Sequence, residues 1–564
     1  MDDYETLKTE VLIIGGGGAG ARAAIEAHRQ GADVCLLAKG PLASAGITPL
    51  AYASYQAAFG AVVSKDNPDV HYQDTIKEGR NLADENLVRV LADESIQRAL
   101  DLERFGVKFK KQNGKHFQVL HPGQTYPRCM FIKGGGFALV SALKKELHRR
   151  PDIKIIEDFC VSHLSIDQGR VIGAFGLNMQ NGRFYSIQAK STVLACGGYE
   201  EIWGTTDTVS DSIGNGISLA FQAGANLIDL EMSLYYPAVF VYPESMKGVL
   251  IEYETFLDRE YLDFRLLNRE KREILPQGPL LARDDLQRIM MTEIGEGRGT
   301  AHNGLVIDPT RSSKSHEEIE KIIKELLNTP DKYLQKLGVD IRKDQIEICP
   351  AVHYTLGGVW INQKTETSVE GLFAAGENAS NVHGANRISG NALAETQVFG
   401  ERAGRYASEY SAKVRHRPIA SKEIKKNIQV WKQFLIKKKG GIRPLVLRKK
   451  MQEVMDQYAG LDRNEQGMIK ALKMILDLKQ NGLPKVEVSA GNIFNVDWRT
   501  AMEVSMALTV AELVVRSALQ RKETRGHHYR SDFPTTLENP QHTLIEKKKQ
   551  NFQLALAPVI KLNQ

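Results

Sequence analysis

Five glycines in six residues, Gly15 to Gly20 with Ala19 among them, lie between the apolar run Val11 to Ile14 and a helical pattern ending near Gln30. Gly15, Gly17 and Gly20 satisfy GxGxxG, and Gly16 and Gly18 fill the gaps. Pyrophosphate binding asks for glycine here, because the backbone must turn tightly and approach an anion held at a helix N-terminus. Gly31 then breaks the helix, and Ala32 to Leu37 reads as a second strand. A strand, glycine turn, helix and strand within about thirty residues predict a bound dinucleotide. In NAD enzymes an acid ending the second strand grips a ribose hydroxyl, but here Ala38-Lys39-Gly40 stands in its place. Lys39 leaves FAD at least as well matched as NAD.

Three further clusters could do chemistry. Cys349 to Gly358 carries His353 between Pro350 and the pair Gly357-Gly358. By itself it reads as a turn histidine capping a strand or as a site residue. Glu377 to Gly390 is polar or glycine apart from Ala379, Val382, Ala385 and Ile388, and it feeds a helix from near Asn391. That segment is either a surface loop before a capped helix or a device presenting Glu377 to a ribose and the helix N-terminus to developing negative charge. The small-residue face of this helix suits close packing on a cofactor or a strand. Arg283, beside Asp284, reads by composition as half of an exposed ion pair.

The elements that must position these groups follow from pattern. Leu87 to Phe105 and Phe137 to Arg150 read as helices, while Lys154 to Ile156, Val171 to Leu177 and Thr192 to Ala195 read as strands. The last strand runs into Cys196-Gly197-Gly198, a glycine turn. Residues 231–348 are richer in charge, more helical and interrupted by loops, and the strand-and-glycine style returns at Ile348. This predicts a domain inserted into a nucleotide-binding domain. A charged helical segment covers roughly 413 to 530, and the tail from Phe552 alternates like a strand before and after Pro558.

Length and composition bound the possibilities. The 564 residues predict two to four domains. With 42% hydrophobic and 25% charged residues the chain is an ordinary globular one. The 74 Lys and Arg against 68 Asp and Glu give +6, too mild an excess for a nucleic-acid footprint. No apolar run approaches the roughly 20 residues that span a bilayer, and the start lacks a secretion signal. Five single cysteines without a CxxC argue against a disulfide framework or an iron–sulfur cluster held by this chain. The expected protein is soluble and cytoplasmic.

Together the clusters resemble the flavoprotein subunit of the fumarate reductase, succinate dehydrogenase and L-aspartate oxidase superfamily, from about Lys8 to Val559. The resemblance rests on the glycine loop, on His353 to Gly358 (the family's HYTMGG), on Ala374 to Asn378, on His383 to Arg387, and on Arg521 to Gly526, similar to RKESRG. It implies an α/β fold: an FAD-binding Rossmann-like domain (1–230 and 349–412) split by an inserted α+β capping domain (231–348). A helical domain (413–535) and a tail (536–564) would follow. It implies FAD, a small carboxylic-acid substrate, hydride transfer at a carbon next to a carboxylate, and a partner subunit carrying iron–sulfur clusters. Any membrane association would run through partner subunits. The alternatives are a stand-alone L-aspartate oxidase-like enzyme and a non-catalytic electron-relay subunit.

Position by position, the resemblance implies Gly15, Gly17, Gly18, Ala19, Gly20, Lys39, Gly197, Glu377, Asn391 and Leu393 as cofactor contacts. Asn215 joins them, in Gly214-Asn215-Gly216 where the family has Gly-Asp-Gly. Arg387, as a bidentate fork, and His353 would grip one carboxylate, and Arg283 would exchange the proton. The family's substrate-binding histidine is replaced by Tyr236. An ungapped reading puts Glu252 and Tyr253 at the family's Thr-Glu pair, Phe256 at its relay arginine and Asp258 at its relay carboxylate. No histidine follows the second strand, Gly46 being the nearest match, so the FAD is expected to be non-covalent.

Overall fold

The computed structural model describes residues 4–52, 54–548 and 551–562. They fall into two compact units: Thr205–Thr208 with Leu234–His353 forms the smaller, and the remaining described residues the larger.

In the larger unit the strand Tyr4–Ile14 lies between Val34–Leu37 and Arg183–Leu194, parallel to both. Lys154–Ile156 extends the sheet beyond Val34–Leu37, and Leu372–Ala374 also pairs in parallel with Arg183–Leu194. On the other side Arg170–Asn178 and Phe159–Asp167 continue it antiparallel. Val11 to Ile14 are buried because helices cover this parallel core, as continuous apolar strands require. Register decides what the sheet presents. Ile14 aligns with Leu37 and with Leu194, and Leu194 with Ala374. Four strands therefore end at one edge, and from that edge leave Gly15, Lys39, Gly197 and Glu377. Ligands of open α/β sheets bind at this edge.

Helix Gly18–Arg29 packs under the sheet, and the long helix Asn391–Lys413 lies along it. The small-residue face of the second helix packs on a strand, where Ser191 Oγ donates to the carbonyl of Ala407 at 2.9 Å, and on the first helix. A Cβ on Gly404 would fall 2.2 Å from the carbonyl oxygen of Ala23, so the face seats the glycine-loop helix. Helices Ser421–Lys432, Pro444–Ala459, Glu465–Asp477 and Val496–Gln520 follow, and Gln541–Lys548 pairs antiparallel with Asn551–Pro558. The tail strand stops at Pro558, which cannot donate to a ladder. The motif at Arg521 is a buried ion network: Arg521 donates to Asp229 and Glu523, each at 2.8 Å, and also to Glu231. It fastens the end of the last long helix to the strand region around Asp229.

The smaller unit is α+β. Its sheet runs Ser233–Tyr242, Ile346–Thr355, Leu305–Asp308, Arg265–Leu267, with the last three antiparallel neighbours. Helix Arg283–Glu293 and shorter helical turns close over it. Its core gathers Phe240, Phe256, Phe264, Leu286 and Met290 among others.

Two buried histidines in the larger unit predict how stability depends on pH. His71, hydrogen-bonded to Asn391 Oδ1 at 2.8 Å, is pushed down to about 3 by burial and then by Arg128. His528 is pushed well below its ordinary value by burial and by Arg463. The unfolded chain protonates both near their ordinary value of about 6.5, and the folded chain does not. Their stabilising contribution is thus complete above about pH 6.5 and is lost as pH falls toward 3. Thermal unfolding followed by circular dichroism is expected to show Tm falling steadily below pH 6.5. His71→Gln, which keeps a donor for Asn391, is expected to make that fall shallower.

Candidate active site

The cofactor edge is shaped by close backbone approach. Gly15 takes φ +118°, and a Cβ there would sit 2.0 Å from the carbonyl oxygen of Ala195, while one on Gly20 would sit 1.8 Å from that of Gly15. Gly17 caps helix Gly18–Arg29 without a side chain, leaving the helix N-terminus to an outside anion. A Cβ on Gly376 would lie 2.8 Å from Ala19 Cβ, which puts the 376–378 turn against the loop. In that turn Glu377 Oε1 accepts the N–H of Thr355 at 2.8 Å.

Lys39 and Asn215, predicted separately, meet: Lys39 Nζ donates to Asn215 Oδ1 at 3.0 Å and ion-pairs with Glu503 at 3.1 Å. Gly197, at φ +78°, has open space where a Cβ would stand. Asn391 turns its amide inward to His71 and Thr75 and gives its own N–H to the carbonyl of Ile388, in the first turn of the long helix that also holds Leu393. Among the described residues, Asn378 Nδ2, Gln397 Oε1 and both amide atoms of Asn381 are buried without hydrogen-bond partners. Buried polar atoms left unmet beside a glycine cradle fit a dinucleotide with polar groups along its length. The donor set fits FAD.

The smaller unit holds a second constellation. Arg283 is the first residue of its helix and is buried, not exposed beside Asp284 as composition suggested. Its Nη2 donates to Glu254 Oε1 at 2.8 Å, and its guanidinium carbon lies 4.9 Å from the centre of the Tyr236 ring. Tyr236 donates its hydroxyl to the other oxygen of Glu254 at 3.1 Å. The Tyr253 ring stands edge-on to Tyr236, 5.3 Å between centres. Burial pulls the Arg283 pKa down, but Glu254, helped by Tyr253 and Tyr236, more than offsets this and holds it above the ordinary value. Burial, then Glu254, drives the Tyr236 hydroxyl far above its ordinary value. Arg283 Nη1 is buried with no partner among the described residues. A cation locked by one carboxylate therefore keeps one donor for a further acceptor.

His353 lies in the strand Ile346–Thr355, not in a turn, with Nδ1 2.8 Å from Asp207 Oδ2. Its ring centre is 5.1 Å from that of Tyr236. The aspartate fixes the tautomer that leaves Nε2 for a ligand.

The segment after Gly248 differs from the ungapped reading. Glu252 is the N-cap of the one-turn helix Tyr253–Leu257, and Asp258, its C-cap, accepts the N–H of Glu260 at 2.9 Å. Phe256 is buried in the core, edge-on to Phe264. The helical turn swings Glu254, a residue the sequence did not single out, onto Arg283.

In the larger unit Arg387 is buried with its guanidinium carbon 4.6 Å from the centre of the Tyr354 ring. Tyr354 donates to Glu395 Oε2 at 2.6 Å, and His383 Nε2 lies 3.0 Å from the same oxygen. Glu254, Asp207, Tyr354 and Glu395 thus support the predicted site residues. Tyr354 lay inside the His353 motif and Glu395 at the end of the third cluster, yet spacing alone assigns neither a contact.

Comparison with known proteins agrees with this layout. An FAD binding domain family matches residues 10–393, and a family described as fumarate reductase flavoprotein C-term matches 448–563. The chain is 37% identical to a fumarate reductase (CoM/CoB) subunit from Methanothermobacter marburgensis, over 97% of this chain and 98% of that one. It is 28% identical to a Mycobacterium tuberculosis fumarate reductase flavoprotein subunit, covering 96% and 95%. Among solved structures, Mycobacterium smegmatis Sdh1 superposes with a TM-score of 0.89 at 29% identity, covering 99% and 95%. No helix among the described residues is long and apolar enough to cross a membrane. A nucleotide edge, a dry arginine–carboxylate–tyrosine cluster and these matches place the chain in one family: it belongs with the FAD-dependent flavoprotein subunits of fumarate reductases and succinate dehydrogenases, oxidoreductases that act on a CH–CH bond.

Proposed function

We propose that the chain reduces fumarate, or an unsaturated dicarboxylate closely related to it, as the flavin subunit of a complex whose iron–sulfur subunit delivers the electrons. The observation that carries this reading is Arg283: buried, charged, held by Glu254, and with one donor unmet. Such a group is suited to a polar acceptor in a dry site and to little else.

FAD, once bound, supplies hydride-transfer chemistry to a carbon beside a carboxylate. The protein's part is to bind, orient and protonate. Arg387 takes one carboxylate as a bidentate fork, its plane set by the Tyr354 ring beneath it. His353, its Nδ1 proton held by Asp207, presents Nε2 as an acceptor beside the Tyr236 ring. Arg283 donates the proton to the second carbon. A guanidinium gives up a proton reluctantly, so the site must stay closed to water and the proton must be restored at once. Tyr236, where the family has histidine, gives its hydroxyl proton to Glu254 and brings no charge. Gly46 offers no side chain for a covalent link, so FAD is released intact on denaturation.

A substrate series with reduced viologen as electron donor tests the dicarboxylate requirement. Fumarate is expected to oxidise the dye, and crotonate, which lacks the second carboxylate, to do so at least roughly 100-fold more slowly, as loss of a charge-assisted bidentate contact implies. Equal rates with the two acids would overturn the reading.

A further inference from the structure

The turn that follows the last long helix of the larger unit reaches the segment carrying Arg387. Arg525 and His528 exchange backbone hydrogen bonds at 2.9 and 3.0 Å, with Gly526 between them at φ +54°. Both ends of the turn are clamped. Arg525 donates to Glu523 at 2.9 Å and to the carbonyl of Arg80 at 2.7 Å, while Arg463 donates to His528 Nδ1 at 2.8 Å. At the tip, a Cβ on Gly526 would fall 2.2 Å from the carbonyl oxygen of Ala385, which accepts the N–H of His527 at 3.1 Å. On its other side the same segment meets the end of helix Pro68–Glu78, where Ala385 donates its N–H to the carbonyl of Gly79 at 2.9 Å.

Side chains complete the clamp. His527 Nε2 lies 2.9 Å from Asn386 Oδ1, Asn386 Nδ2 donates to Glu78 Oε1 at 2.7 Å, and the N–H of Arg387 donates to Asn386 Oδ1 at 2.9 Å. All four residues are buried. Chemistry fixes the directions. A backbone N–H can only donate, so the amide atom facing Arg387 is oxygen, and the amide nitrogen turns to Glu78. That oxygen in turn requires a proton on His527 Nε2. One oxygen therefore serves two donors, the imidazole and the backbone of the residue that the proposed function sets on a carboxylate. His528 is just as buried, yet its ring meets Arg463, so burial in this turn does not by itself reach Arg387.

We propose that His527 is a positioning residue for Arg387: its Nε2 proton holds Asn386, and Asn386 holds the backbone from which the Arg387 guanidinium reaches a substrate carboxylate. The inference rests on the function proposed above. A bidentate fork tolerates little misplacement, because both of its N–H bonds must meet the carboxylate in one plane. A backbone loosened at Arg387 thus weakens substrate binding more than it slows the chemical step. His527 acts through Asn386 and not on the substrate.

The test compares the FAD-loaded wild type with His527→Leu, His527→Gln, Asn386→Ala and the double variant His527→Leu, Asn386→Ala. KM and kcat for fumarate are measured with reduced viologen, and hydrogen exchange at the Arg387 amide by mass spectrometry of peptic peptides. Leucine fills the space of the ring without a donor. Its KM is expected to rise about 3- to 10-fold, as loss of one buried hydrogen bond implies, with kcat within about twofold of wild type. Exchange at the Arg387 amide should quicken with it. Glutamine places an amide N–H near the Nε2 position and is expected to restore both. The double variant should match Asn386→Ala, because His527 then has nothing to act through. Unchanged KM in His527→Leu overturns the proposal. So does a fall in kcat as large as the rise in KM, or a double variant whose two effects add. If His527→Leu does not fold, His527→Asn decides: its shorter amide stops short of Asn386, and unchanged KM there is the overturning result. A wild type whose reduced flavin fumarate cannot reoxidise sinks the proposed function. Exchange then decides the hold on Arg387 separately: faster exchange in His527→Leu keeps it, and equal exchange overturns it.

Discussion

Arg283→Gln is expected to lower turnover by roughly 10²–10⁴-fold, the range that loss of a positioned acid produces, while FAD content and partner binding stay normal. Glutamine keeps a donor in a side chain of similar length, so it separates proton delivery from simple occupancy. The variant also leaves the Glu254 carboxylate buried against Tyr236 without its cation, which raises the cost of keeping it ionised. Stopped-flow reoxidation of reduced flavin by fumarate and flavin absorbance after gel filtration are the two readouts. A variant that merely halves the rate would place the proton donor elsewhere. Loss of flavin together with activity would mean that Arg283 supports the fold rather than the reaction.

The second large effect is on substrate affinity. Arg387→Ala is expected to raise KM for fumarate by roughly 30- to 150-fold, because a desolvated carboxylate loses a bidentate, charge-assisted partner worth about 2–3 kcal/mol. It also strips the cation from the Tyr354 ring, whose hydroxyl stays bound to Glu395. The Tyr354–Glu395 framework is therefore expected to survive, with thermal stability close to that of wild type. Steady-state kinetics over a wide fumarate range checks the effect. Unchanged KM would move the carboxylate site away from Arg387.

What was legible in the sequence was whatever is encoded locally. The strand, glycine turn and helix at Val11 to Arg29 announce themselves because close backbone approach tolerates only glycine, and the structure shows how close that approach is. The alignment of Ile14, Leu37, Leu194 and Ala374 follows from the same pattern once the parallel sheet is assumed. Arg283 could not be placed from its neighbours. Its burial is matched by Glu254, twenty-nine positions earlier, carried on a helical turn of five residues. The small-residue face after Asn391 was correctly seen as a close-packing surface. The strand was anticipated, but the glycine-loop helix seated at Gly404 was not, because a stripe of glycine and alanine fits a helix as readily as a strand. Tyr354 and Glu395 meet only through the tertiary fold, so periodicity carries no trace of their contact.

The central claim is that this chain passes reducing equivalents from its flavin to a dicarboxylate. The most direct test is anaerobic: photoreduce the purified chain, mix it with fumarate, and follow flavin absorbance and succinate together. Rapid reoxidation with succinate formed in equal amount to the flavin oxidised is the predicted result. Flavin that stays reduced in fumarate, yet reoxidises at once in air, would contradict the account.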